Sequence, residues 1–250
     1  MKVLILAAGY GTRLYPHTRS FPKPLLKIGR KPIINYLLEK TQELNGVSRI
    51  VVVTNNRFFK QFQAWRDSLP RSLRRSVRLL NDMSTGPENK LGSIGDMHFV
   101  LCKEDYRGDF LVLGGDNFFK AGLLDFVCFA RKKYPSISVG LFDIKDKREA
   151  RHFGVVRINK RNRIVEFSEK PSRPKSSLVA MCLYYFPQVK LRLIKEYLAN
   201  SLNSGDAAGS YIGWLSRKDK VYGYVFSDFW LDIGHKDIYK KAERVFKNKE

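Results

Sequence analysis

Residues 1–14 read MKVLILAAGYGTRL, an apolar run from Val3 to Ala8 that breaks into two glycines, a threonine and an arginine. Three readings compete for this stretch: a secretion signal, a buried strand feeding a dinucleotide loop, or a strand feeding another phosphate-binding loop. The apolar run is shorter than the ~7–15-residue core of a signal peptide, and it ends in Gly9 and then Arg13. Secretion is not expected. Glycines directly after a buried strand let the backbone turn tightly and aim its N–H groups at an anion. A dinucleotide loop also needs a third glycine, and an acid at the end of the second strand to hold the ribose. Here Gly9 and Gly11 are followed by Thr12, Arg13 and Leu14, and the next β-branched run ends in Thr54-Asn55-Asn56. No Gly-Lys-Ser/Thr follows, so the ATPase P-loop fails as well. What remains is a glycine loop that carries an arginine.

Beyond the loop, Pro16, Pro22, Pro24 and Pro32 oppose a helix starting at once. The chain is expected to cross the sheet edge in extended form, with Lys23 held between two prolines. Further on, apolar β-branched runs alternate with helix-period segments. Strands are expected at Arg49–Thr54, Val77–Leu80, Phe110–Leu113 and Ile137–Phe142. Helices are expected over Pro32–Leu44, Phe58–Leu69, Ser93–Cys102 and Leu123–Lys133. This alternation predicts the α/β class, a Rossmann-like, mostly parallel mixed sheet flanked by helices. After about Asp143 the pattern becomes α+β. It holds a hairpin in Phe153–Phe167, a long strand Leu178–Phe186 and two helical patterns, one being Tyr211–Arg217 after a turn at Asp206–Gly209. A strand Val221–Phe226 and a terminal helix from Lys236 complete it. These later strands are expected to extend one edge of the first sheet, giving a single domain.

The 250 residues are 44% hydrophobic, enough to bury one α/β core of ordinary size. Lys and Arg number 46 against 24 Asp and Glu, a formal net charge of +22 that attracts polyanions. Basic clusters at 57–78, 145–175 and 236–249 are interleaved with apolar residues, as on solvated faces of folded elements. No nucleic-acid signature accompanies them, so nucleic acid is not the expected partner, although a non-catalytic polyanion-binding module remains the rival class. Cys102, Cys128 and Cys182 lie far apart in apolar surroundings, which suits reduced core thiols and a cytoplasmic location. No run approaches the ~18 apolar residues of a membrane span, and membrane insertion is not expected.

LILAAGYGTRLYPHT (4–18) followed by FPKPLLKIGRKPIINYLLE (21–39) resembles the signature of the sugar-1-phosphate nucleotidyltransferases, the nucleotide-sugar pyrophosphorylases. The resemblance continues in order through LGGDN (113–117), FGVV (153–156), EKP (169–171) and WLDIG (230–234). In motif style it is nearest the glucose-1-phosphate thymidylyl- and uridylyltransferases. It implies the nucleotide-diphospho-sugar transferase fold, with a nucleotide-binding part over about 1–142, a smaller sugar-phosphate lobe over about 143–235 and the terminal helix at 236–250. It also implies attack by a sugar 1-phosphate on the α-phosphorus of a nucleoside triphosphate, with release of pyrophosphate.

The resemblance implies a nucleotide cradle of Leu6, Ala7, Ala8, Gly9, Gly11 and Thr12, with Asn81 and Gly92 near the base. Arg13 would hold the leaving phosphates and Lys23 would stand beside the reacting ones. Asp116 and Asp232 would share Mg²⁺, and Gly154, Glu169 and Lys170 would hold the sugar phosphate. Nucleotidyl transfer asks for little beyond this, since positioning and charge neutralisation carry the reaction. Taken alone, Asp116 reads equally as a turn residue after Gly-Gly, and Glu169–Lys170 as an exposed charged pair at a strand end.

The family pattern has a glutamine for the base and then P-x-G-T/L-A. Here residues 79–97 read LLNDMSTGPENKLGSIGDM, with Asn81 and Asp82 near the usual glutamine and Gly92-Ser93-Ile94 in place of Gly-Thr-Ala. Base specificity therefore does not transfer. His235 replaces a small residue after WLDIG, and no C-terminal β-helix is expected past the final helix. Glucose 1-phosphate with dTTP or UTP is the first expectation. Cytidylyl transfer to phosphocholine or an inositol phosphate, and guanylyl transfer to mannose 1-phosphate, are the alternatives. A homo-oligomer is left open.

Overall fold

The opening apolar run becomes strand β1 (Lys2–Leu6), whose three central residues are wholly buried. The computed structural model describes residues 1–104, 107–200, 205, 208–234, 238, 239 and 242. After β1 come β2 (Lys27–Ile28), β3 (Lys31–Pro32), helix α1 (Ile33–Gln42), β4 (Arg49–Thr54), α2 (Phe59–Asp67), α3 (Arg71–Ser76) and β5 (Val77–Asn81). Then follow α4 (Gly92–Lys103), β6 (Phe110–Gly114), β7 (Asn117–Phe119), α5 (Leu124–Lys132), β8 (Ile137–Asp143) and α6 (Lys147–Ala150). The last described elements are β9 (Gly154–Ile158), β10 (Ile164–Glu169), β11 (Leu178–Phe186), α7 (Arg192–Leu198), α8 (Ala208–Lys218), β12 (Val221–Phe226) and β13 (Trp230–Asp232).

Strands β5, β4, β1 and β6 are parallel neighbours, with Ile5 between Val52 and Leu113. Because side chains alternate along a strand, β1 sends Val3 and Ile5 to one face and Leu4 to the other. Helices α1, α2 and α5 cover the first face through Leu37, Phe62 and Phe126. Helices α4, α7 and α8 cover the second through Met97, Ile194 and Ile212. This is the continuous apolar patterning of a sheet buried on both sides.

Strand β8 does not lie beside β6. Strand β11 enters between them, antiparallel to both, and β12 then pairs parallel with β8. The β9–β10 hairpin joins the same β11 at Val179–Val155. The later strands thus extend the β6 edge, as expected, but the first and second parts of the chain interleave in one sheet.

Three local readings change. Thr12–Leu14 forms a turn of 3-10 helix directly after the loop, because Gly11 adopts φ 62° and reverses the chain before Pro16 can interfere. Lys23–Leu25 is likewise a 3-10 turn, with Pro22 and Pro24 supplying the fixed φ of its start. Cys102 and Cys128 are exposed rather than in the core, since both sit on the outer faces of amphipathic helices. Asp206, His235 and most of the expected terminal helix lie outside the described residues; Ile238, Tyr239 and Ala242 are helical. Among the described residues no helix is long and apolar enough to cross a membrane.

Candidate active site

A cleft of about 430 Å³ opens at the carboxyl ends of β1 and β6. Ligands gather there in open α/β sheets, because the loops leaving parallel strands diverge. The glycine loop forms its floor and is pinned from three sides. Ala7 N–H donates to Val53 O at 2.9 Å, and Gly115 N–H to Leu6 O at 2.8 Å. Asn55 Nδ2 donates to Ala8 O at 2.8 Å, and Thr18 Oγ1 donates to Gly11 O at 2.6 Å. Leu6, Ala7, Ala8, Gly9, Gly11, Thr12 and Arg13 all line the cleft, as does Gly92 at the start of α4.

Lys23 reaches into the same space, its side chain only 15% exposed and its Nζ 2.5 Å from Asp116 Oδ2. Burial presses its pKa down, but the carboxylates of Asp116 and Asp232 outweigh burial and hold it above the usual lysine value. Asp116 sits in the turn between β6 and β7. Strand β13 pairs antiparallel with β7, placing Asp232 opposite Asn117 and Ile233 N–H 3.3 Å from Asp116 O. Two acids remote in sequence are thereby brought together. Trp230 Nε1 donates to Asn117 Oδ1 at 2.7 Å and locks the pairing, and Asn117 is itself buried.

Asp232 is pushed up to about 6, first by burial and then by Asp116, with Lys23, Arg13 and Lys170 pulling the other way. Its Oδ1 is buried with no hydrogen-bond partner. An unsatisfied buried carboxylate oxygen beside a second carboxylate suits a hard divalent cation, which takes oxygen ligands and commonly shares them with substrate phosphates. Among the described residues no group of three or more His, Cys, Asp or Glu is arranged to hold a metal, so the protein's share would be these two carboxylates.

Residues 2–249 match the family model described as nucleotidyl transferase. This chain is a member of that family. Its fold aligns with a crystal structure reported as a candidate glucose-1-phosphate thymidylyltransferase from Bacillus anthracis in complex with sucrose. The TM-score is 0.83 with 25% identity, over 98% of this chain and 94% of that one. It also aligns with a UDP-glucose pyrophosphorylase complexed with UDP-glucose, at a TM-score of 0.84 and 20% identity, over 100% of this chain and 99% of that one.

The remaining sequence candidates of this nucleotidyl transferase fall less simply. Gly154, Glu169 and Lys170 do not line the cleft, although their neighbour Phe153 does and accepts the Lys170 N–H at 3.0 Å. Lys170 is close enough for its charge to act on Asp232. The space that a Cβ at Gly154 would fill is taken by the Phe167 ring and the Glu169 carboxylate, so the missing side chain lets both approach the backbone there. Burial raises the Glu169 pKa, and a Cβ at Gly209 would overlap its carboxylate.

Asn81 turns away from the cleft. Its Nδ2 donates to Asn56 Oδ1 and its Oδ1 accepts the Met83 N–H, each at 2.9 Å. Asp82 lines the cleft instead, because consecutive residues leaving β5 face opposite ways. Asp96, the fifth residue of α4, also lines the cleft and was not among the sequence candidates. Its signal was an acid on the apolar face of a helix that otherwise buries Ile94, Met97 and Val100.

Proposed function

We propose that this nucleotidyl transferase moves a nucleotidyl group from a nucleoside triphosphate to a sugar 1-phosphate in the presence of Mg²⁺, giving a nucleotide sugar and pyrophosphate. The observation that carries this is the convergence of Lys23, Asp116 and Asp232 at one end of a pinned glycine loop, with Asp232 Oδ1 left unsatisfied. The loop backbone and Arg13 would receive the triphosphate. Lys23 would neutralise charge developing on the reacting phosphates from a fixed position, with no reorganisation during the step. Asp116 and Asp232 would hold the cation; bound there, Mg²⁺ supplies Lewis-acid charge to phosphate oxygens. Lys170, whose charge reaches Asp232 from outside the cleft lining, would meet the sugar phosphate, and Glu169 the sugar hydroxyls.

Glucose 1-phosphate is the first acceptor to test, because the two structural relatives are reported with that chemistry. Those relatives also favour dTTP or UTP as donor, although the opposite wall of the cleft is built differently. The experiment is pyrophosphate release across five triphosphates and a panel of sugar 1-phosphates with Mg²⁺. Release that requires the sugar phosphate, and that is lost in Asp116→Ala and Asp232→Ala, supports the reading. No turnover with any pair, or full turnover in both variants, overturns it.

A further inference from the structure

Lys23 enters the cleft from a short turn whose place is tied to that of Asp116. Lys23–Leu25 is closed by Leu25 N–H donating to Pro22 O and Leu26 N–H donating to Lys23 O, both at 3.0 Å. Its Pro24 is buried and packs on Gly115, where an added Cβ would lie 3.2 Å from Pro24 Cγ. The residue before Pro24 and the residue after Gly115 are Lys23 and Asp116, and their side chains meet at 2.5 Å. The charge of Asp232 acts on the same ammonium. Arg13 and Lys170 also act on Asp232, but Lys23 is the cation that touches Asp116.

A divalent cation held by Asp116 and Asp232 needs carboxylate oxygen that this ammonium already satisfies. The two oxygens of one carboxylate lie side by side, so an ion at either stands against the ammonium with like charge. The conflict ends when a triphosphate is present, because its oxygens offer the ammonium a second anionic partner. Lysine suits such a transfer: its charge is a compact point on a flexible stem, with three donors that can turn. The pinned turn need not move while the end of the side chain does.

We propose that Lys23 stands in for the divalent cation at Asp116 and Asp232 in the free protein, keeping the metal out until a triphosphate draws the ammonium away. This rests on the function proposed above, in which the two carboxylates hold Mg²⁺ and the glycine loop receives the triphosphate. Lys23 then serves twice, first as a placeholder and afterwards as the charge beside the reacting phosphates. The move accompanies binding and precedes the chemical step, during which Lys23 is fixed. Metal and triphosphate favour each other as a consequence, and by linkage that coupling is reciprocal.

The test is binding of Mn²⁺, a paramagnetic substitute for Mg²⁺, to the whole protein without nucleotide, read by loss of the free-ion electron paramagnetic resonance signal. Lys23→Met is expected to bind one Mn²⁺ about tenfold or more tighter than the unaltered protein, because a like charge at contact range is gone. Lys23→Arg keeps that charge and is expected to show no such gain. Asp232→Asn added to Lys23→Met is expected to abolish it. Structural damage loosens a metal site, so tightening is a sign that damage does not mimic. Any smaller gain in Lys23→Met, an equal gain in Lys23→Arg, or a gain that survives Asp232→Asn overturns the inference. Should Lys23→Met fail to fold, Lys23→Gln takes its place. Should neither fold, the unaltered protein decides: one Mn²⁺ held tighter than about 0.1 mM without nucleotide overturns the inference, and weaker binding supports it. Pyrophosphate release by the unaltered protein, assayed in parallel, keeps the two readings apart. Release without the gain overturns this inference alone, and the gain without release counts against the proposed function alone. Neither gain nor release overturns both.

Discussion

Burial presses an ammonium toward its neutral form, yet Lys23 is held above the usual lysine pKa because Asp116 and Asp232 face it. Their like charges in turn push Asp232 up to about 6, after burial has already raised it. Replacing Lys23 by Met, which keeps the stem and removes the charge, is expected to lower kcat by roughly 10²–10³. The KM for the triphosphate should move much less, and steady-state kinetics separates the two. Asp232→Asn is expected to cause a loss of similar size and to remove the response of turnover to added Mg²⁺, checked by titrating the metal against rate. These residues were legible because a motif spans each of them. Asn81 was misplaced and Asp96 missed for a different reason: one residue of strand parity, or one acid on a helix face, decides whether a side chain enters the cleft. No motif marks either.

Short elements carry the site, and they are the least legible. Strands β7 and β13 have three residues each, too few to show a period, yet their pairing is what joins Asp116 to Asp232. The longer runs β1, β4, β6, β8, β11 and β12 were plain in the sequence, because continuous β-branched and aromatic residues fit a sheet covered on both faces. Trp230→Phe tests the short pair. It removes the Nε1–H that satisfies buried Asn117 Oδ1 and should destabilise the fold by about 1–3 kcal/mol, measured by urea denaturation. Activity should fall as well, because Asp232 loses its support. Gly11→Ala tests the loop. At φ 62° a side chain costs roughly 1–2 kcal/mol, and the new Cβ would sit 3.1 Å from Thr18 Cβ. The same denaturation experiment reads that loss.

Over the whole molecule the formal charge is +22, and the proposed substrates are both anions. Such a field raises the encounter rate of anionic ligands and is screened by salt. Raising ionic strength from about 0.01 M to about 0.15 M shortens the Debye length from ~30 Å to ~8 Å, so kcat/KM for the triphosphate is expected to fall severalfold while kcat stays nearly constant. A stopped assay at low and physiological salt checks this. The order of strands in the sheet was not readable from the chain. Burial patterning shows that β8 is covered on both faces, but nothing in it says that β11 rather than β6 is its neighbour.

That late insertion bears on how the polypeptide comes off the ribosome. A nascent chain that has emerged only as far as Asp143 carries the glycine loop, Lys23 and Asp116, but β6 has one naked edge, and both partners of β8 are still to be made. Open apolar edges invite mispairing with other chains. Vectorial synthesis therefore leaves β6 and one edge of β8 open until Phe186 has emerged, and the other edge of β8 open until Phe226 has. A nascent-chain chaperone has its target in that interval, and a split version of this protein is expected to reassemble better with the cut after β11, which leaves β6 and one edge of β8 covered, than with the cut before it.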